Sequence, residues 1–116
     1  FGVRRPLIAS SIFVVAGFAL VGMGWLVTGS ILIVIARGAL GTLFPAAVAH
    51  FAPAGVLQPL ARNQTWRDIG AAAGPLGTGV LLGVFSPEVM HLAIAVIYAI
   101  SFTWLMMSPI WRRVPE

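Results

Sequence analysis

Between Pro6 and Ala52 apolar residues follow one another almost without a break, and the only ionisable side chains are Arg37 and His50. A bilayer-crossing helix needs about 20 mostly apolar residues. That run is therefore too long for one crossing and suits two. Thr28-Gly29-Ser30 is the weak point near its middle, where Gly and Ser favour a tight turn. The pattern predicts a first helix over 6–28 and a second over 31–52. Pro53-Ala54-Gly55 then breaks the chain, and 53–63 reads as a loop. A third helix is expected over 64–84, or from as early as Pro59, which suits a first helical position. Ser86-Pro87-Glu88 reads as a turn, and a fourth helix over 89–107 ends before Pro109. A secretory signal peptide fits the first run poorly, since it exceeds a 7–15-residue apolar region and lacks a clear cleavage site.

Composition sharpens this reading. Of the 116 residues 59% are hydrophobic and 9% are charged, with a mean hydropathy of +1.01. Soluble domains carry about 25% charged residues, so an ordinary cytosolic domain is excluded, as is disorder. The absence of cysteine excludes disulfides, thiolate metal sites and thiol nucleophiles. A net charge of +4 does not imply nucleic acid, because six of the seven arginines sit at the edges of apolar runs. Arg4 and Arg5 precede the first helix, Arg62 and Arg67 lie between the second and third, and Arg112 and Arg113 follow the fourth. The positive-inside bias places all six in the cytoplasm. Four crossings put both termini on one side, so the helix count and the charge count agree. Trp25, Trp66 and Trp111 fall near the expected membrane borders, whereas Trp104 is deeper and reads as packing.

The candidate chemistry lies inside the spans. Arg37, Gly41 and Pro45 fall within about 80° of one another on a helical wheel. Arg37 is six residues past Ile31, roughly 9 Å into the span. It either snorkels to the outer headgroups or faces a polar interior, where it binds an anionic group or pairs with an acid. Asp68 either stabilises the start of the third helix through the helix dipole or forms a gate or coupling ion pair. Gly70, Gly74 and Gly77 make a stripe bare of side chains, and Gly79 and Gly83 form a second small-residue pair. Such stripes let helices approach closely in lipid, and Pro75 kinks the same helix. That helix is either a packing element or a kinked gate. His50 and His91 lie on opposite membrane faces and cannot share one haem, which leaves no expected cofactor or metal. No catalytic constellation is present, so the chain does not read as an enzyme.

Three stretches resemble motifs of the major facilitator superfamily. Gly2-Val3-Arg4-Arg5 is similar to the end of its cytoplasmic D-R-x-G-R-R signature. Arg37 and Gly41 keep the spacing of l-x-x-R-x-x-q-G, with Leu40 in place of Gln. The segment from Gly70 through Gly74-Pro75 to Gly77 and Gly79 is similar to G-x-x-x-G-P-x-x-G-G, with Thr78 between the last two glycines. The resemblance implies an all-α four-helix part of a transporter, similar to spans 9–12 or 3–6 of twelve. It implies transport of a small-molecule substrate by alternating access, coupled to a proton gradient, in a bacterial inner membrane with both ends cytoplasmic. Arg37 would serve coupling or gating, Gly70, Gly74 and Pro75 would shape the gate helix, and Arg4 and Arg5 would join a cytoplasmic charge relay. The expected partners are the lipid bilayer and the remaining spans, with no nucleic acid. A second expectation is a non-transporting structural or assembly subunit of a larger membrane complex.

Overall fold

A computed structural model describes residues 2–51, 55 and 57–114. The described chain is all-helical. Helix α1 is Arg4–Gly22, α2 is Leu26–Phe51, α3 is Leu57–Leu81 and α4 is Pro87–Met107, followed by a 3-10 turn at Trp111–Arg113. Three of them, α1, α2 and α4, are long and apolar enough to cross a membrane. The first half of α3 carries Arg62, Arg67 and Asp68 among Asn and Gln, and its apolar part starts at Ile69.

The first turn is not at Thr28-Gly29-Ser30. It lies at Met23-Gly24-Trp25, and residues 28–30 are inside α2. The cause is a glycine C-cap. Gly24 has φ +93°, a conformation open to a residue without Cβ. Its N–H donates to the Val21 carbonyl at 3.0 Å, and Trp25 N–H donates to the Leu20 carbonyl at 2.9 Å. This pair of bonds is the Schellman closure, which satisfies carbonyls that a helix end would otherwise orphan. Moving the turn moves Arg37. It lies eleven residues past Leu26, roughly 16 Å along α2, near the middle of the helix rather than close to its outer end.

The other boundaries shift for similar reasons. Helix α3 begins at Leu57 instead of Gln64, with Pro59 in the first turn, where a missing N–H costs no helical bond. The segment expected as a loop over 53–63 is thus largely helix. The break expected at Pro53-Ala54 lies outside the described residues. At the next turn Ser86 caps α4, its Oγ accepting from Val89 N–H at 3.3 Å, with Pro87 opening the helix and Glu88 in the first turn.

Helix α1 is the centre of the bundle. Its buried positions include Leu7, Ser11, Val14, Gly17 and Val21, a seam at helical spacing. It meets α2 where Gly17 faces Gly29. A Cβ built on Gly29 would lie 2.6 Å from the Gly17 carbonyl oxygen, and one on Gly17 would lie 2.9 Å from the Gly29 oxygen. Near its end α1 meets α4, where a Cβ on Gly22 would lie 2.5 Å from Leu92 Cγ and 3.1 Å from the Glu88 carbonyl oxygen. At the opposite end of the bundle, Trp111 is buried at 3% exposure in a core with Leu7, Ala47 and Val114. Phe102 stacks edge-on against its ring at 5.8 Å, and the Arg4 guanidinium sits over that ring at 5.8 Å. So α1 runs antiparallel to both α2 and α4, and the start of α1 shares an end with the chain's tail. By contrast, α3 has no buried residue. Trp104, expected to pack, is exposed instead, because α4 turns that face away from α1.

Replacing Trp111 tests the tail. Trp→Ala at a packed site costs about 3–5 kcal/mol. Trp111→Ala is expected to free the 3-10 turn and speed tryptic cleavage at Arg112 and Arg113 in the folded protein. Unchanged cleavage would mean that the ring does not hold the tail.

Candidate functional site: a two-arginine cleft

All four helices contribute to one cleft of about 360 Å³. Val14 and Phe18 come from α1, Arg37 and Gly41 from α2, Arg67 from α3 and Tyr98 from α4. Arg37 and Gly41 are four residues apart and so share a helix face. Gly41 leaves space for the visiting guanidinium, since a Cβ there would sit 4.0 Å from Arg67 Nη2. Four residues further on, Pro45 has no N–H to give back to the Gly41 carbonyl, so a cleft residue keeps a carbonyl without its helical donor.

The electrostatics are one-sided. Both charged groups lining the cleft are cations, and among the described residues no carboxylate lines it. Asp68, expected to partner an arginine, accepts a hydrogen bond from Gln64 Nε2 at 2.9 Å on its own helix and is exposed. The structure therefore brings Arg37 to Arg67 and leaves Asp68 outside. A helical residue next in sequence points about 100° away, which is why Asp68 cannot share the direction of Arg67.

The other candidates fall elsewhere. Among the described residues, a Cβ on Gly70, Gly74 or Gly77 would meet nothing within 4 Å, so the described helices leave the expected stripe unfilled. Gly74 and Gly77 instead line an open apolar groove of about 370 Å³ between α3 and α4. Pro75 lies inside α3 as expected. Gly2 precedes α1, Arg4 and Arg5 open it, and Arg4 is engaged with Trp111. His91 Nδ1 lies 2.6 Å from the Pro87 carbonyl oxygen, and its ring is 6.0 Å from Phe18. Among the described residues no group of three or more His, Cys, Asp or Glu is placed to hold a metal.

Sequence reasoning assigned Arg67 to membrane sidedness and missed its place in the cleft. The observed helix boundaries account for its position. Gly41 and Arg67 are each thirteen residues from position 54, the middle of the α2–α3 connection. In an antiparallel hairpin, positions equidistant from the turn come to the same height.

No protein-family model, curated protein or solved structure matches the chain.

Proposed function

We propose that the chain is a four-span part of a secondary active transporter of the major facilitator type. It moves a small solute by alternating access, coupled to a proton gradient, in a bacterial inner membrane. The observation that carries this reading is the cleft. Arg37 sits at mid-helix depth, Arg67 reaches it from the neighbouring helix, and all four helices border the space. Ionisable side chains at membrane depth are costly, and they face water-filled paths or partners when they are kept.

The chain's course supports a fourth crossing by α3. Helix α2 ends toward the Trp111 end of the bundle, where Ala47 packs with Leu7. Helix α4 begins at the other end, beside Gly22. The connection must travel the length of the bundle, and 25 residues of α3 span about 37 Å. The polar half of α3 is tolerable in a membrane where it faces protein or water. On this reading the arginines at 4, 5, 112 and 113 lie together in the cytoplasm. Further spans, in the same polypeptide or a partner, close the path.

Because the chain has no cysteine, single-cysteine labelling tests the topology directly. Gly2→Cys and Ser108→Cys are expected to react with an impermeant maleimide from the cytoplasmic side, and Glu88→Cys from the opposite side. Labelling of Gly2→Cys and Ser108→Cys from opposite faces would reduce the count to three crossings and remove the transporter reading. The open stripe at Gly70, Gly74 and Gly77 favours a second reading, a non-transporting assembly subunit whose α3 docks on a partner. Flux in reconstituted vesicles, with the complete assembly, separates the two.

A further inference from the structure

The walls of the two-arginine cleft indicate the class of solute. Its cationic part is Arg37 and Arg67. The rest is apolar or aromatic, with Val14, Phe18 and Tyr98 among the lining residues. The geometry points to a binding site for a small organic anion, with a carboxylate or phosphate head held between Arg37 and Arg67 and an aliphatic or aromatic body against Phe18 and Tyr98. This rests on the transporter reading for what the site is for, while binding itself is measurable without flux.

Charge, size and placement support it separately. An arginine kept at membrane depth without a counter-charge costs about 2.5–3.5 kcal/mol, and here two share one cleft that no carboxylate lines among the described residues. A guanidinium is a planar fork of donors that matches a carboxylate or phosphate edge, and Tyr98, also on the cleft wall, carries a hydroxyl, a neutral donor. The volume of about 360 Å³ falls in the range of small-molecule sites. The two arginines also stand on different helices, and α3 is the helix with no buried residue. An anion bridging them would therefore pull α3 onto α2. It would bind the docked arrangement better than the undocked one, which is the condition for a ligand to shift a conformational equilibrium.

The same oxyanion chemistry is offered by an anionic lipid headgroup, so the test separates the two sources. The full chain is placed in nanodiscs of zwitterionic phosphatidylcholine and titrated with benzoate, with inorganic phosphate and with neutral benzamide. Binding is read by calorimetry and by hydrogen exchange across residues 57–81. Benzoate is expected to bind and to slow exchange in α3, phosphate to bind more weakly for want of a body, and benzamide to do neither. Arg37→Gln and Arg67→Gln are each expected to weaken benzoate by about tenfold or more, the scale of one charge-assisted hydrogen bond. Arg67→Lys, which keeps the charge, is expected to lose less, and it preserves the test if a glutamine variant misfolds. Equal binding of benzamide would overturn the site. So would wild-type benzoate affinity in both folded glutamine variants, or protection of α3 that appears only with phosphatidylglycerol in the disc. Benzoate binding without flux in the complete assembly would remove the transporter reading and leave this site standing. Flux of a neutral or cationic solute that Arg67→Gln does not alter would do the reverse.

Discussion

On the transporter reading proposed above, Arg37→Ala is expected to lower coupled transport by about ten- to a hundredfold in the complete assembly, while the protein still inserts and folds. The size follows from a charge-assisted contact, worth about 1.5–3 kcal/mol when removed, at about 1.4 kcal/mol per tenfold. The separation from insertion follows from depth. Arg37 stands roughly 16 Å along α2, and removing a guanidinium from the centre of a span relieves about 2.5–3.5 kcal/mol of insertion cost. Ordinary packing explains none of this, because the side chain is exposed from the α1–α2–α4 core and faces the cleft. Arg37→Lys keeps the charge but loses the two-pronged fork, and is expected to fall between wild type and alanine. Initial rates of uptake, normalised to the amount of inserted protein, provide the measurement. Wild-type rates for Arg37→Ala would return this residue to a side chain that merely reaches water or headgroups.

The largest structural effect is expected at the glycine crossing of α1 and α2. Gly29→Ala places a methyl group 2.6 Å from the Gly17 carbonyl oxygen and 2.8 Å from the Val21 backbone nitrogen. Those are backbone atoms, so relief requires the helices to separate. Overpacking of this kind costs about 1–3 kcal/mol, and Gly29→Leu is expected to exceed it. Between helices in lipid the loss is sharper than the volume suggests, since close van der Waals contact replaces the hydrophobic effect as the source of association. Gly74→Leu is the matched control, because a Cβ there meets nothing within 4 Å. The folded fraction during a titration from mild detergent into dodecyl sulfate should fall early for Gly29→Leu and stay near wild type for Gly74→Leu. The opposite order would mean that the stripe on α3 packs within the chain and the α1–α2 contact does not.

Most of the fold is legible from apolar run length alone. Four helical segments and the prolines that punctuate them are properties of short windows, and hydropathy depends on little beyond the window itself. Gly24 and Gly29 show where that view stops. Both are glycines in an apolar run, and either suits a turn by local chemistry. Gly24 took the left-handed cap, with its bonds to Leu20 and Val21, and Gly29 went to the helix crossing against Gly17. The choice moved Arg37 from the rim of its span toward the centre.

Arg37 was legible as a candidate because a lone charge in an apolar helix is anomalous wherever the helix packs. Arg67 was not, because its neighbours in sequence are polar and a cation there needs no explanation. Asp68 looked like the natural partner by adjacency, yet it bonds Gln64. The amino-acid order by itself determined that the chain holds four helical segments and how apolar each is, because those quantities sum over neighbours along the chain. Which arginines meet, which glycines touch and which remain bare were decided only by tertiary structure, because they depend on the height at which one helix passes another, and a shift of a few residues in one turn resets that height for every position beyond it.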